Sequence, residues 1–278
     1  MLKRRLAWLA IPMLFSATII PLAHGADVYP SKPVRIVVPF NAGGSTDVVA
    51  RAVAQRLTTE LGQNFIVENK GGAGSAIGTA QVARAPSDGY TLLFTTSYFS
   101  LNPAVSPSPV NYDPLKDFTP ISNVAFMPMA LFVKSDLPAK SVADVIKLAK
   151  DKPDSLNYSS SGNGGPPHFA GVLFGNLTGT RITHIPYSGA APALVDVASG
   201  RIDMSFTTFS SAMPFLQGKR MRPLAVASKE RFAAFPDVPT FRELGIPLEM
   251  LTMYALLAPA GTPRAIVDKL HGILAKMT

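Results

Sequence analysis

The residues of this chain that could do chemistry are few and poorly spaced for bond-breaking. Its 278 residues include four histidines and no cysteine. Without cysteine there is no thiolate nucleophile, disulfide, thiolate metal site or lipid-anchored Cys. His168, His184 and His271 form no H-E-x-x-H or comparable pair, so no metal site is expected. The nucleophile elbow G-x-S-x-G is absent. Ser161 and His168 could in principle serve a secreted hydrolase as nucleophile and base. The plainer role for His168, at a helix start, is to close its loop by hydrogen bonding. His184 in a strand and His271 on a helix surface read as structural, and Asp203 as a buried partner for loop N–H groups. The remaining polar stock is hydroxyls, amides and backbone, which suits binding better than catalysis. No catalytic residue and no cofactor is expected.

Those binding groups concentrate first at residues 34–61. Val34, Ile36 and Val38 alternate with Arg35 and Val37, and Pro39 stops the strand. A loop follows, Asn41-Ala42-Gly43-Gly44-Ser45-Thr46, and then a helix with Val49, Val53, Leu57 and Leu61 on one face. Ser45 or Thr46 is expected to cap that helix, Asp47 to sit in its first turn, and Gly62 to end it. A loop of this kind aims backbone N–H groups and the positive end of a helix dipole at one point, where an anion or carboxylate fits. Any α/β fold also needs glycine in such turns, so the loop alone does not decide the matter.

The pattern recurs. A short strand, Leu156 to Ser160, is followed by the loop Ser161-Gly162-Asn163-Gly164-Gly165 and a helix at Pro166-Pro167-His168, which Gly179 stops. A third copy runs from the strand ending at Tyr187 through Ser188-Gly189-Ala190-Ala191. Gly72, Gly74 and Gly78 give G-x-G-x-x-x-G, which misses the dinucleotide fingerprint; a tight turn with close helix packing is expected there. Residues 97–120 read as a surface connection rich in Pro, Ser and Asn. Ser141 opens a helix with Asp144 near a capping-box position. Leu224 to Ala227 reads as a strand returning toward the first lobe. The stretch from Phe232 to Leu244 reads as a connection with a short helix, and a last strand and helix follow.

Strands alternate with helices throughout, which implies a mostly parallel sheet in each of two lobes, with ligands beyond the strands' carboxyl ends. Loops from both lobes would then face one cleft. The expected organisation is a leader at 1–25, a first lobe at 26–124, a second lobe at 125–223 and a return to the first at 224–278. The leader reading rests on Lys3, Arg4 and Arg5 before an apolar run from Leu6 to about Ala23, then Ala23-His24-Gly25, as in a secretory signal peptide cleaved after Gly25 or, as the next choice, after Ala26. An uncleaved anchor is the alternative; Pro12 and Pro21 argue against it. The leader carries three of the 26 basic residues and none of the 18 acidic ones, so the rest of the chain stays net positive. That balance suits small anions. The cations form no runs of the kind a nucleic-acid groove needs.

Several blocks resemble one known family. They include YPSKPVRIVVPFNAGGSTDVVAR (29–51), VENKGGAGSAIGTAQVARAPSDGYTLLF (67–94), LNYSSSGNGGPPHFAG (156–171) and HIPYSGAAPALVDVASGRIDMSF (184–206). They look like the Bug, or TctC-like, extracytoplasmic solute receptors of tripartite tricarboxylate transporters. The resemblance covers the chain after the leader, in order. It implies a periplasmic-binding-protein fold of type II, α/β, with two doubly wound lobes, a hinge and a ligand cleft. It implies a monomer that holds a di- or tricarboxylate or an aromatic acid in the periplasm and is read by membrane subunits. By that analogy the loop from Phe40 to Asp47 and the loop from Ser159 to Gly164 contact the ligand, with Ser97, His168, Tyr187 and Thr207 as further candidates. Relatives commonly carry F-D-N where this chain has Phe206-Thr207-Thr208, which removes a natural partner for a ligand amine and points away from amino acids. Family chains also continue past the helix that ends at Thr278, so a C-terminally shortened receptor is expected. A sensing subunit for the same ligand is the alternative role.

Overall fold

The computed structural model describes residues 29–106 and 109–277; the expected signal peptide lies outside them. Among the described residues, nine strands form one strongly curled sheet in the order β2-β1-β3-β9-β4-β7-β5-β6, with β8 also paired to β4. The first lobe contains β1 (Val34–Val38), β2 (Phe65–Asn69), β3 (Thr91–Thr96), β9 (Leu251–Pro259) and the first part of β4 (Phe118–Lys134). The second contains β5 (Asn157–Ser160), β6 (Thr183–Pro186), β7 (Met204–Thr208), β8 (Met221–Val226) and the end of β4. Within each lobe three strands are parallel: β2, β1 and β3 in one, β6, β5 and β7 in the other. An antiparallel strand then joins each set, β9 beside β3 and β4 beside β7. The sheets are therefore mixed, and their connectivity is the same in both lobes.

Helices cover both faces. They are α1 (Ser45–Leu61), α2 (Ala76–Ala83), α3 (Tyr98–Val105), α4 (Val142–Asp151), α5 (Pro166–Thr178), α6 (Ala190–Ala198), α7 (Phe209–Gln217) and α8 (Arg264–Leu274). Val34, Ile36, Val37 and Val38 of β1 are all buried, because a central parallel strand is covered on both sides. One apolar cluster packs α1 and α8 on the first lobe's sheet, through Val53, Leu57, Val267 and Leu270. Another packs α4 and α5 on the second, through Val142, Val145 and Phe174. No helix among the described residues is long and apolar enough to cross a membrane.

The helix ends show how local sequence positions these elements. Gly62, at φ +68°, closes α1 with its N–H on the Thr58 carbonyl. Ser141 and Asp144 form a reciprocal capping box at α4. The N-cap of α1 is Gly44 rather than Ser45 or Thr46, and no side chain bonds to its first turn in cis. Two helices went unread in the sequence. α3 contains Pro103 and α7 contains Pro214, and a proline inside each breaks the helical pattern. The short helix expected between Phe232 and Leu244 is absent; turns there are tied by Arg231 to Glu243 and to the Pro236 carbonyl.

The lobe boundaries differ from those expected at 124/125 and 223/224. β4 pairs with β9 from Phe118 to Pro128 and with β7 and β8 from Met129 onward, so the chain crosses at Pro128. β8 is an edge strand of the second sheet, and Phe241 and Leu248 beyond it pack in that lobe's core. The return comes at Leu251, which pairs with Pro128. A single apolar strand cannot reveal which sheet it joins, hence the misplaced return. Three backbone hydrogen bonds lock the crossing: Met129 N–H to Met250 O, Ala227 N–H to Met129 O, and Met250 N–H to Ala227 O, at 2.7–3.0 Å. Two adjacent strands with few other covalent links make a hinge.

Candidate functional site

A cleft lies between the lobes above that crossing. Counting its open mouth, it encloses about 470 Å³. Its floor is Met129 and Thr252, which flank the hinge, and its walls are strand-to-helix loops from both lobes.

The β1–α1 loop supplies Phe40, Asn41, Gly44, Ser45 and Thr46 to the wall. Its shape is set from beneath by Asp47, which is buried. The carboxylate accepts from the Gly43 N–H at 3.0 Å, from Arg51 Nε at 3.1 Å and from Asn69 Nδ2 at 3.0 Å. Burial pushes the Asp47 pKa up, but Arg51, Gly43 and Asn69 together outweigh it and leave it below the usual value. Gly43 sits at φ +82°, a region that disfavours side chains. Asp47 and Gly43 therefore shape the loop rather than face the cleft, and Ala42 does not line it either.

The second loop behaves differently from expectation. Two of its N–H groups are spent within it: Gly162 N–H donates to Ser160 Oγ and Gly164 N–H to His168 Nδ1. Pro166 and Pro167 open α5 and have no N–H to offer. What this loop presents to the cleft is the Ser161 residue and the two proline rings. Ser159 and Ser160 are buried beneath, and Gly164 lines no cavity wall. Gly162, Asn163 and Tyr187 line a neighbouring chamber that shares Phe40 and Ser161 with the cleft.

His168 keeps the loop-closing role and is outside the cleft. Its ring stacks on His184 with centroids 4.0 Å apart, on the far side of β5 and β6, beside Arg181 and Asn176. His184 Nε2 lies 2.6 Å from Ser160 Oγ. Burial, with His168 beside it, lowers the His184 pKa to about 4, and burial lowers that of His168. Ser161 Oγ instead pairs with Tyr98 Oη at 2.9 Å across the lobes. No Ser161–His168 dyad exists.

Ser97 precedes α3 but does not line the cleft; its neighbour Tyr98 does. Burial pushes the Tyr98 hydroxyl up, so it stays a neutral donor or acceptor. Tyr98, Thr96, Pro166, Pro167, Ala190, Thr208 and Thr252 are lining residues not expected from the sequence. Thr207, an expected one, is there. Ala190 could have been found, since the third loop was read as a copy of the first. Thr252 carries no local signal.

The lobes meet closely. Gly43 and Gly44 face Ala191 and Ala190: a Cβ built on either glycine would lie 3.7 Å from the alanine Cβ opposite. The N-termini of α1 and α6 thus converge head to head. Ser45 N–H donates to Ser211 Oγ at 3.0 Å and Asn41 Nδ2 to Ser188 Oγ at 3.2 Å, both across the cleft. Among the described residues, no Lys, Arg, Asp or Glu lines the cleft or the adjoining chamber. The arrangement is a neutral, hydroxyl-rich slot between two positive helix ends.

The model of the tripartite tricarboxylate transporter family receptor matches residues 49–278. Solved structures agree with it. The periplasmic binding protein BugD is 36% identical, with a TM-score of 0.83, over 88% of this chain and 82% of its own. An R. palustris protein solved with adipate is 38% identical, with a TM-score of 0.87, over 89% and 83%. MatC from Rhodopseudomonas palustris, with bound malate, is 32% identical, with a TM-score of 0.81, over 90% and 85%.

Proposed function

This chain belongs to the tripartite tricarboxylate transporter family of receptors, and from that premise we propose that it captures a small dicarboxylate and delivers it to the membrane subunits of such a transporter. It is a solute-binding receptor and not an enzyme. Receptors of this family work in the periplasm; export of this chain by a signal peptide cleaved after Gly25, and action as a monomer, are part of the proposal.

The observation that carries the ligand class is the convergence of α1 and α6 on a slot with no charged side chain. Two helix N-termini facing each other repel unless an anion lies between them. The solved relatives hold adipate and malate, both dicarboxylates. Thr207 supports the narrower choice: with a hydroxyl there, and Asp47 engaged below the loop, the cleft has no carboxylate to meet a ligand ammonium. A dicarboxylate without an amine is favoured over aspartate or glutamate.

Capture follows from the hinge. The acid docks on N–H groups and hydroxyls of one lobe, and closure brings Ala190, Ser161 and Thr207 of the other against it. Hydrogen bonds to a charged group contribute roughly 1.5–3 kcal/mol each. A few of them, less ordering costs, reach about −8 kcal/mol, a micromolar dissociation constant. A thermal-shift screen against straight-chain and hydroxylated dicarboxylates, aspartate and glutamate tests this. An acid at 100 times its dissociation constant adds about 2.7 kcal/mol, or roughly 5–10 °C for a chain of this size. A shift with aspartate or glutamate and none with any amine-free acid would overturn the ligand class.

A further inference from the structure

The Gly-rich turn after β2, unused by the account above, forms the wall of the chamber beyond Phe40. Ala73, Gly74 and Ser75 all have positive φ, at +48°, +58° and +82°. Two of these are not glycine, so the turn holds a conformation that side chains resist. Asn102, itself buried, fixes it by donating through Nδ2 to the carbonyls of Ala73 at 3.1 Å and Gly74 at 2.9 Å. Ser75 is 1% exposed and lines the chamber, yet its Oγ has no hydrogen-bond partner among the described residues. A buried hydroxyl left unpaired is costly, and native folds rarely keep one without a use. It stands at the N-terminus of α2, where the Ala76 N–H is held by the Ala73 carbonyl and the N–H groups that follow in the first turn lie beyond the reach of α2's own carbonyls.

We propose that this turn is a distal subsite, in which Ser75 and the start of α2 take the second carboxylate of a straight-chain dicarboxylate whose first carboxylate sits between α1 and α6. The inference rests on the carboxylate reading of the cleft and deepens it. Phe40 and Ser161 line both spaces, which places the two side by side with the Phe40 side chain between them. The chamber itself has a volume of about 360 Å³ and is open on one side, which leaves room for the far end of an extended chain. No acidic side chain among the described residues lines it to repel the second anion. Across the cleft, Gly74 meets Gly162 and Asn163, so closure brings the second lobe against the occupied subsite.

Adipate and hexanoate, which have the same chain length and differ in the second carboxylate, are titrated calorimetrically into the native chain and Ser75→Ala. The native chain should bind adipate at least tenfold more tightly than hexanoate. Ser75→Ala should lose about tenfold for adipate, the equivalent of one charge-assisted hydrogen bond, and stay within twofold for hexanoate. Ligand-free Ser75→Ala should melt no lower than native, because the hydroxyl it deletes has no partner to lose. Asn102→Ala, which frees the turn, should weaken adipate alone in the same way. Equal affinity for the two acids, or an equal loss of both in Ser75→Ala, overturns the subsite and leaves the cleft reading standing. Binding of neither acid by the native chain overturns both.

Discussion

Replacing Gly165 with alanine should separate folding from closure. Gly165 caps α5 in the second lobe and faces Tyr98 of α3 in the first. A Cβ there would lie 1.6 Å from Tyr98 Cζ and 2.0 Å from its Oη. Ordinary contact begins near 3.4 Å, so ring and loop must part by about 2 Å. Tyr98 cannot swing away, since it is 3% exposed and packs edge-on against Phe40 at 5.3 Å. Separation also breaks the Tyr98–Ser161 hydrogen bond across the lobes. Overpacking of about 1–3 kcal/mol and the lost bond of about 0.5–1.5 kcal/mol set the closed form back by roughly 2–4 kcal/mol. Affinity should fall by about thirty- to several-hundred-fold. The backbone at Gly165 has φ −99°, which alanine adopts freely, so no strain enters. Gly272→Ala is the control: on the exposed side of α8, away from the cleft, its Cβ meets nothing within 4 Å, and it should bind as native. Calorimetry with adipate gives the affinities, and small-angle scattering with and without adipate reads closure. A folded Gly165→Ala that binds and compacts like the native chain would refute the assignment of this contact to closure.

Other consequences follow from the loop and the histidine pair. Asp47→Ala leaves the Gly43 N–H without its acceptor, Arg51 without its partner in α1 and Asn69 with the Phe40 carbonyl alone, and should cost about 2–4 kcal/mol, read as a melting temperature lower by roughly 5–15 °C; an unchanged melt would deny Asp47 its place under the loop. His184 titrates near 4 in the fold, below its ordinary 6.5. The unfolded chain therefore binds more protons between these values, so its contribution is full above about pH 6.5 and is lost as pH falls toward 4. His184→Gln should flatten that part of a stability–pH profile measured by urea unfolding, and a profile as steep as native would contradict the assignment.

How far the chain could be read as sequence varies with distance along it. The β1–α1 unit was legible because a period of two gives way to a helical period across glycines, and Gly62 ends the helix as its type requires. The same logic found the β5–α5 and β6–α6 units. What defeated it was contact between distant segments. Asp47 looks like a first-turn acid, but its task depends on Asn69, on another strand. β8 looks like any apolar strand, and only its pairing with β4 shows that it stays in the second lobe. Thr96, Thr252 and Thr208 reach the cleft from three strands with no motif among them. One error was avoidable. Pro166 and Pro167 carry no N–H, so the second loop could not have mirrored the first as a ring of donors, and Ser161 is what remains for it to offer.

The central claim is that a carboxylate is held by converging helix ends and hydroxyls, without a side-chain cation. Its most direct test compares the acid that raises the melting temperature most with its neutral amide, by calorimetry at one pH and ionic strength. The amide keeps the size and chain of the acid and lacks the charge. The account predicts micromolar binding of the acid and an amide weaker by about a hundredfold or more. An amide that binds as tightly as the acid would show that charge is not what the cleft reads.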